Sequence, residues 1–382
     1  MGKNKGNYLL LTVTVLVTLL ILEGALRISG VARMTARFTC FHPVLGKVYC
    51  ATTEGTFTKT SYSHYLVVNS DGMVDREYPI AKPEGTLRVA LLGDSFTASE
   101  YLPTADKFEG LLEQDLSQQL DKPVEILNFG ISGSETWDQL QIFHLRAVKY
   151  QPDLTFLAFY WGNDIKNNIE RLRANDPSPL MEEYDAPLGG RIKEVRKNLN
   201  KALWNSSLLY QVVHDGTGHL ERLVKRWFQP DYLTQIDRLM VGEHQGTVLK
   251  ELQSKERPMV DTDSGDDDLF FWKSAGWEIT RKLIKKLNAE AEAAGSKLLV
   301  LHFPSEGLVR SGMPLPFEEF NVFLDQSGIP YVSLFQDYYD MEPEILQQHF
   351  IPDDGHWSRY GHRYVARQTR EMLFNALSRQ YP

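Results

Sequence analysis

The stretch that most narrows what this chain can fold into is Arg88-Val89-Ala90-Leu91-Leu92-Gly93-Asp94-Ser95. After Arg88 it carries no charge until Asp94, which reads as a strand buried on both faces, as in a parallel sheet. Gly93 lets the backbone turn sharply at the strand's carboxyl end. In open α/β sheets that end is where ligands bind and chemistry is done. Ser95 is therefore a candidate nucleophile, although a serine in such a turn also commonly does no more than cap the next helix.

The same pattern recurs downstream. Val124 to Phe129 is a second apolar run, entering Asn128-Phe129-Gly130-Ile131-Ser132-Gly133, and Leu154 to Tyr160 is a third, entering Trp161-Gly162-Asn163-Asp164. Between the first two runs, Phe108, Leu111, Leu112, Leu116 and Leu120 share one helical face, and Lys122-Pro123 ends that helix. Between the second and third, Trp137, Leu140, Phe143 and Ala147 form an apolar stripe, with Thr136 and Gln139 at capping-box spacing. Strand and helix in alternation predict right-handed parallel crossovers and a doubly wound sheet. A long helix lined by Ile279, Leu283, Leu287 and Ala294 ends at Gly295, and Lys297 to Phe303 and Pro330 to Leu334 supply a fourth and a short fifth strand. The last helix, burying Val365, Thr369, Met372, Leu373 and Ala376, starts close to His356.

From about 166 to 268 the alternation stops. Ile192, Val195, Leu199 and Leu203 form one helical stripe, and Leu220, Leu223, Val224 and Trp227 another, backed by Arg222, Lys225 and Arg226. This is expected to be a helical insertion whose basic helix covers a core, with a membrane surface or a partner as the other reading. Asp261, Asp263, Asp266, Asp267 and Asp268 lack the glycine and terminal glutamate of a calcium loop and read as a solvated linker.

At the N-terminus, Lys3 and Lys5 precede an uncharged run from Tyr8 to Leu22, followed by Glu23 and Arg27. The run lies at the lower edge for a membrane-spanning helix, and the lysines would hold the N-terminus inside. An uncleaved signal anchor over 1–32 is the preferred reading, with a signal peptide cut after Gly30-Val31-Ala32 as the other. Both export the rest of the chain. Residues 33–84, with turn formers and short runs such as Tyr65-Leu66-Val67-Val68 before Asn69-Ser70-Asp71-Gly72, read as a small β-rich segment. Cys40 and Cys50 could close a loop there in an oxidising compartment or remain unpaired thiols. A formal net charge of -9 argues against a nucleic-acid surface.

With Asp353-Asp354-Gly355-His356 before the last helix, the chain shows in order a Gly-Asp-Ser, a glycine turn, a Gly-x-Asn-Asp and an Asp-x-x-His. In these blocks it resembles the SGNH (GDSL-type) hydrolase family, in its membrane-anchored bacterial form, from about Gly85 to the C-terminus with an unmatched middle. The resemblance implies a flavodoxin-like three-layer α/β/α sandwich with a parallel sheet over 85–382, here joined to an N-terminal transmembrane helix and the insertion. It implies Ser95 as nucleophile, His356 as base and Asp353 as the acid behind it. The backbone N–H groups of Ser95 and Gly133 and the side-chain amide of Asn163 would receive the oxyanion.

The chemistry asks for these residue types. A serine hydroxyl needs a base within hydrogen-bond reach, and the base needs an acid to hold its tautomer. Asp354, two residues before His356, competes with Asp353 for that place, and Gly130 competes with Gly133. In the strand order 2-1-3, the turns after the second and third strands flank the turn that carries Ser95. Asp94 and Asp164 are expected to fix their turns, and His362 to be structural. No cofactor is expected, and no histidine and cysteine cluster has metal-ligand spacing. The expected protein is an exported, membrane-anchored serine esterase, facing the periplasm, whose partner is an acylated substrate such as an O-acetylated surface polysaccharide. The same residues would serve an O-acyltransferase, and a catalytically idle carbohydrate-binding or assembly protein could keep the fold.

Overall fold

The computed structural model describes residues 3–29, 38–42, 45–59, 61–165, 168, 207, 209, 275–311, 315–352 and 354–380. The chain opens with α1 (Lys3–Ser29). Two antiparallel hairpins follow, β1 (Thr39–His42) with β2 (Gly46–Tyr49) and β3 (Glu54–Thr58) with β4 (Ser63–Val67). A disulfide joins Cys40 to Cys50 across the first hairpin. These hairpins do not keep a core of their own. Leu45, Tyr49, Leu66, Val68 and Met73 are buried in the same apolar cluster as one face of the central sheet.

That sheet contains β5 (Leu87–Leu92), β6 (Val124–Asn128), β7 (Leu154–Tyr160), β8 (Lys297–Phe303) and β9 (Tyr331–Ser333), paired in parallel in the order β6-β5-β7-β8-β9. Along β5 the side chains alternate between two cores, as a period of two requires. Leu87, Val89 and Leu91 face the cluster that holds α3 (Phe108–Leu120) and the last helix, whereas Ala90 and Leu92 face the other. The last helix, α7 (Arg359–Gln380), inserts Val365, Leu373 and Leu377 there. On the opposite face lie α4 (Thr136–Ile142), α5 (Ala275–Ala293) and α6 (Phe317–Gln326), through Trp137, Leu140, Trp277, Leu287 and Phe320. The result is the expected three-layer sandwich.

Arg88, the one charge at the head of β5, is fully buried. Its guanidinium bonds Glu125 at 2.7 Å and the carbonyls of Pro79, Ile80 and Tyr150. Four of its five N–H donors are thereby satisfied, which is what makes such burial tolerable.

Two local expectations are corrected. Thr136 and Gln139 do not form a capping box: the N-cap of α4 is Glu135, and the Gln139 amide instead donates to Asp164 at 3.2 Å. The stripe through Phe143 and Ala147 is also not one regular helix, because α4 widens into a π-turn over Phe143–Ala147 and tightens again before Tyr150. Both helical stripes of the 166–268 insertion, its aspartate run and the Gly30-Val31-Ala32 site lie outside the described residues. Of the insertion's attachment, the Ser207 hydroxyl and the Leu209 N–H donate to Glu23 of α1, at 3.0 and 2.8 Å.

Among the described residues no helix is long and apolar enough to cross a membrane. The uncharged run of α1 extends from Tyr8 to Leu22, before Glu23 and Arg27, short of the about twenty apolar residues that a span takes. The transmembrane expectation is therefore not established by the fold. Within that stretch Leu10, Leu11, Val13, Leu16, Leu20 and Ile21 are exposed, and they lie on all sides of the helix.

Candidate active site

Gly93 and Asp94 build the turn that presents Ser95. A Cβ on Gly93 would come within 2.1 Å of the Thr97 hydroxyl, so the strand can fold back onto the next helix only with glycine there. Ser95 is the first residue of α2 (Ser95–Ala98), which leaves its N–H without an intrahelical acceptor. Asp94 is the N-cap: one carboxylate oxygen accepts from the Phe96 N–H at 2.9 Å and the other from the Asn163 amide at 2.9 Å. Burial pushes the Asp94 carboxyl up to about 6, against the hydrogen bonds and the nearby His356 that favour its charge.

Ser95 Oγ and His356 Nε2 are 2.6 Å apart. The other ring nitrogen, Nδ1, meets the carboxylate of Asp354. The resemblance put the acid at Asp353, which lies outside the described residues; among the described residues the acid that meets Nδ1 is its competitor, Asp354. The reason is local geometry. Asp354 and Gly355 both donate their N–H to the Ile351 carbonyl, at 3.2 and 2.9 Å, and the left-handed Gly355 (φ +81°) turns the chain so that the nearer acid reaches the ring. Burial opposes ionisation of Asp354, but the hydrogen bond and charge of His356, with Lys59 at 4.0 Å, hold its carboxyl below the usual range. Phe96 packs on the His356 ring, 4.8 Å between centroids, and is itself walled by Tyr160, Phe303 and Trp357.

The two flanking turns are tied to the Ser95 turn. The Gly93 carbonyl accepts from the Ile131 N–H at 3.1 Å and from the Ser134 hydroxyl at 2.9 Å, which sets the turn holding Gly133 beside it. Gly133 has φ +82°, a conformation that favours glycine, and is exposed. Gly130 plays a different part. Its N–H donates to Asn128 Oδ1 at 2.9 Å, and a Cβ there would come within 2.6 Å of the Ala98 nitrogen, so it is a close-packing glycine. On the other side Asp164 accepts from the Tyr160 N–H at 2.8 Å and so closes the turn that aims Asn163; burial, followed by the charge of Asp94, holds its carboxyl well above the usual range.

His362 takes no part in this cluster of polar atoms. Its Nδ1 accepts from the Phe108 N–H at 3.1 Å, and Nε2 faces the hydroxyls of Ser99 and Tyr101. Burial lowers its pKa to about 3, so it is a neutral structural histidine. No group of metal-ligating side chains occurs among the described residues.

Three residues at this site carry no sequence signal. Tyr49, Lys59 and Glu100 come from the hairpins and from the loop after α2, and only long-range folding brings them here. The arrangement contains a hydroxyl, a base that can take its proton, an acid behind the base, and the turns of Gly133 and Asn163 tied to the turn that carries the hydroxyl. Such a set can perform acyl transfer.

Residues 89–223 match the family described as GDSL-like lipase/acylhydrolase. No curated protein sequence matches the chain. Among solved structures, similar ones include the lipase/acylhydrolase from Enterococcus faecalis, 12% identical over 76% of this chain and 96% of that one, with a TM-score of 0.37. The acetyl xylan esterase AlAXEase is 12% identical over 75% of this chain and 100% of that one, with a TM-score of 0.39. A two-domain esterase active on acetylated mannans is 11% identical over 76% of this chain and 50% of that one, with a TM-score of 0.37.

Proposed function

We propose, from the match of residues 89–223 to the family described as GDSL-like lipase/acylhydrolase, that the protein is a serine esterase acting through a Ser95–His356–Asp354 triad. The observation that carries the reading is the 2.6 Å contact between Ser95 Oγ and His356 Nε2. Ser95 Oγ attacks the ester carbonyl carbon while His356 Nε2 takes its proton. Asp354 holds the imidazole in the tautomer that leaves Nε2 open to that proton, and stabilises the imidazolium that forms. The negative oxygen of the tetrahedral intermediate is received by the N–H groups of Ser95 and Gly133 and by the Asn163 amide. One Asn163 N–H is held by Asp94, which orients the second towards the reacting oxygen. Collapse expels the alcohol, which takes the proton from His356. Water, deprotonated by the same nitrogen, then attacks the acyl-enzyme and frees Ser95.

The substrate is an acylated molecule outside the cytoplasmic membrane, with O-acyl groups of surface carbohydrate as the first class to test. Placement supports this. An apolar helix exposed on all sides is costly in water, at about 25 cal/mol per Å² of apolar surface, and the uncharged run begins at Tyr8. Embedded in a bilayer as an uncleaved anchor, α1 would lose that cost. The Cys40–Cys50 disulfide fits an oxidising compartment beyond the membrane. The test uses aryl esters of graded acyl length, O-acetylated oligosaccharides and a serine-directed phosphonate. Hydrolysis together with phosphonate on Ser95 is the expected result; a chain that hydrolyses no ester and takes no phosphonate is not a serine esterase.

A further inference from the structure

Gly133 stands on an exposed turn, and a donor that must meet an oxyanion needs its peptide plane fixed in advance. Ser132, whose peptide link to Gly133 carries that N–H, is held from outside the sheet. Its backbone N–H donates to the Tyr49 hydroxyl at 3.3 Å. Its own hydroxyl donates to the Glu100 carboxylate, and the Tyr49 hydroxyl donates to the same carboxylate. Glu100 and Tyr49 are both buried, at 4% exposure each. The three groups therefore form a closed set in which one carboxylate accepts two hydroxyl protons and one of those hydroxyls accepts the Ser132 N–H. A carboxylate buried without such donors would be strongly unfavourable.

Burial works against the charge on Glu100, yet Lys59 and the two hydroxyl donors outweigh it and keep the carboxyl below its ordinary range. Burial and the neighbouring Glu100 charge raise the Tyr49 phenol well above its ordinary value, so it stays a proton donor. Tyr49 ends β2, and its neighbour Cys50 is bridged to Cys40, so its backbone is anchored in the hairpin and not in the sheet.

We propose that Tyr49 and Glu100 are positioning residues for the oxyanion site: through Ser132 they hold the Gly133 N–H where the developing charge will be, which makes the N-terminal hairpin a working part of the active site. This rests on the esterase reading above. The loss on breaking the set is a loss of alignment in a donor that is still present. It should therefore be smaller than the 10²- to 10³-fold that removing one oxyanion donor costs.

The test compares the full-length protein with Tyr49→Phe, Glu100→Gln and Ser132→Ala, and with the Tyr49→Phe/Ser132→Ala pair, on an aryl ester and on its thiono counterpart. Sulfur accepts hydrogen bonds weakly, so a thiono ester gains little from an oxyanion site. The expected result is a roughly tenfold fall in kcat on the oxygen ester at unchanged KM, a clearly smaller fall on the thiono ester, and a double variant no worse than the worse single one. Equal losses on both esters, or losses confined to KM, would overturn the proposal, because a general loosening of the fold or of the triad affects both substrates alike. Unchanged kcat in all variants would overturn it too. Absence of any Ser95-dependent hydrolysis in the unsubstituted protein would instead remove the esterase reading on which it rests.

Discussion

The Asn163 amide donates to Asp94 at 2.9 Å, and the other oxygen of the same carboxylate caps the Phe96 N–H. One acid thus fixes both the turn that carries the nucleophile and the side chain that faces it from the next strand. Asn163→Ala is expected to lower kcat by about 10²- to 10³-fold with little change in KM, the usual effect of losing one oxyanion donor. Steady-state kinetics on an aryl ester checks this. A defect seen only in KM would make Asn163 a substrate-binding residue.

Ser95→Ala and His356→Ala should each remove nearly all activity while melting close to the unsubstituted protein, and the double variant should be no worse than either. His362→Ala should stay within about tenfold in kcat, because His362 is neutral and bonded to the Phe108 backbone, away from the Ser95 hydroxyl. Near-normal turnover in Ser95→Ala would end the nucleophile assignment.

The two neighbouring acids are separable. Asp354→Asn should cut kcat by about 10²- to 10⁴-fold, since the amide no longer stabilises the imidazolium and can hold the wrong tautomer. Asp353→Asn should cost far less. If the order of the two variants is reversed, the acid on His356 during turnover is Asp353 and not the residue that meets Nδ1 here.

His349 is buried among Tyr338, Tyr360 and Tyr364, and neither of its ring nitrogens has a hydrogen-bond partner among the described residues. Burial lowers its pKa from 6.5 to about 4. Below pH 6.5 the unfolded chain takes up a proton that the folded one refuses, so this residue's contribution to stability falls as pH drops from about 6.5 towards 4. Replacing it by Phe removes that proton and suits the aromatic surroundings. The melting temperature of His349→Phe should therefore exceed that of the unsubstituted protein by a margin that widens on acidification across this window. A constant margin would mean that His349 does not titrate on unfolding.

The proposed membrane anchor predicts a protein that stays in the membrane fraction through high-salt and alkaline washes and leaves it with detergent, at the size of the full chain. Burying an uncharged helical run anchors a chain more firmly than one acyl chain does. A mature form beginning near Arg33 and found free of the membrane would remove the anchor and leave the esterase chemistry untouched.

The sequence by itself determined the sheet and where along the chain its chemistry lies. Apolar runs of strand length, the first three stopped by a glycine turn, admit little but buried parallel strands, and β5 to β9 fall within a residue or two of those runs. The helices α3, α5 and α7 followed from one-faced periodicity. Ser95 and His356, which the fold brings within 2.6 Å, were legible because each sits in a short block whose residues are neighbours in the chain. The exceptions share one cause. Gln139 leaves its cap because Asp164 offers it a buried acceptor, and Asp354 meets the His356 ring through a turn that the left-handed Gly355 makes. Tyr49 and Glu100 carry no local pattern at all. Their meeting with Ser132 depends on packing a hairpin against a turn some eighty residues later in sequence, and a hydrogen bond formed only by that packing leaves no periodicity for the sequence to display.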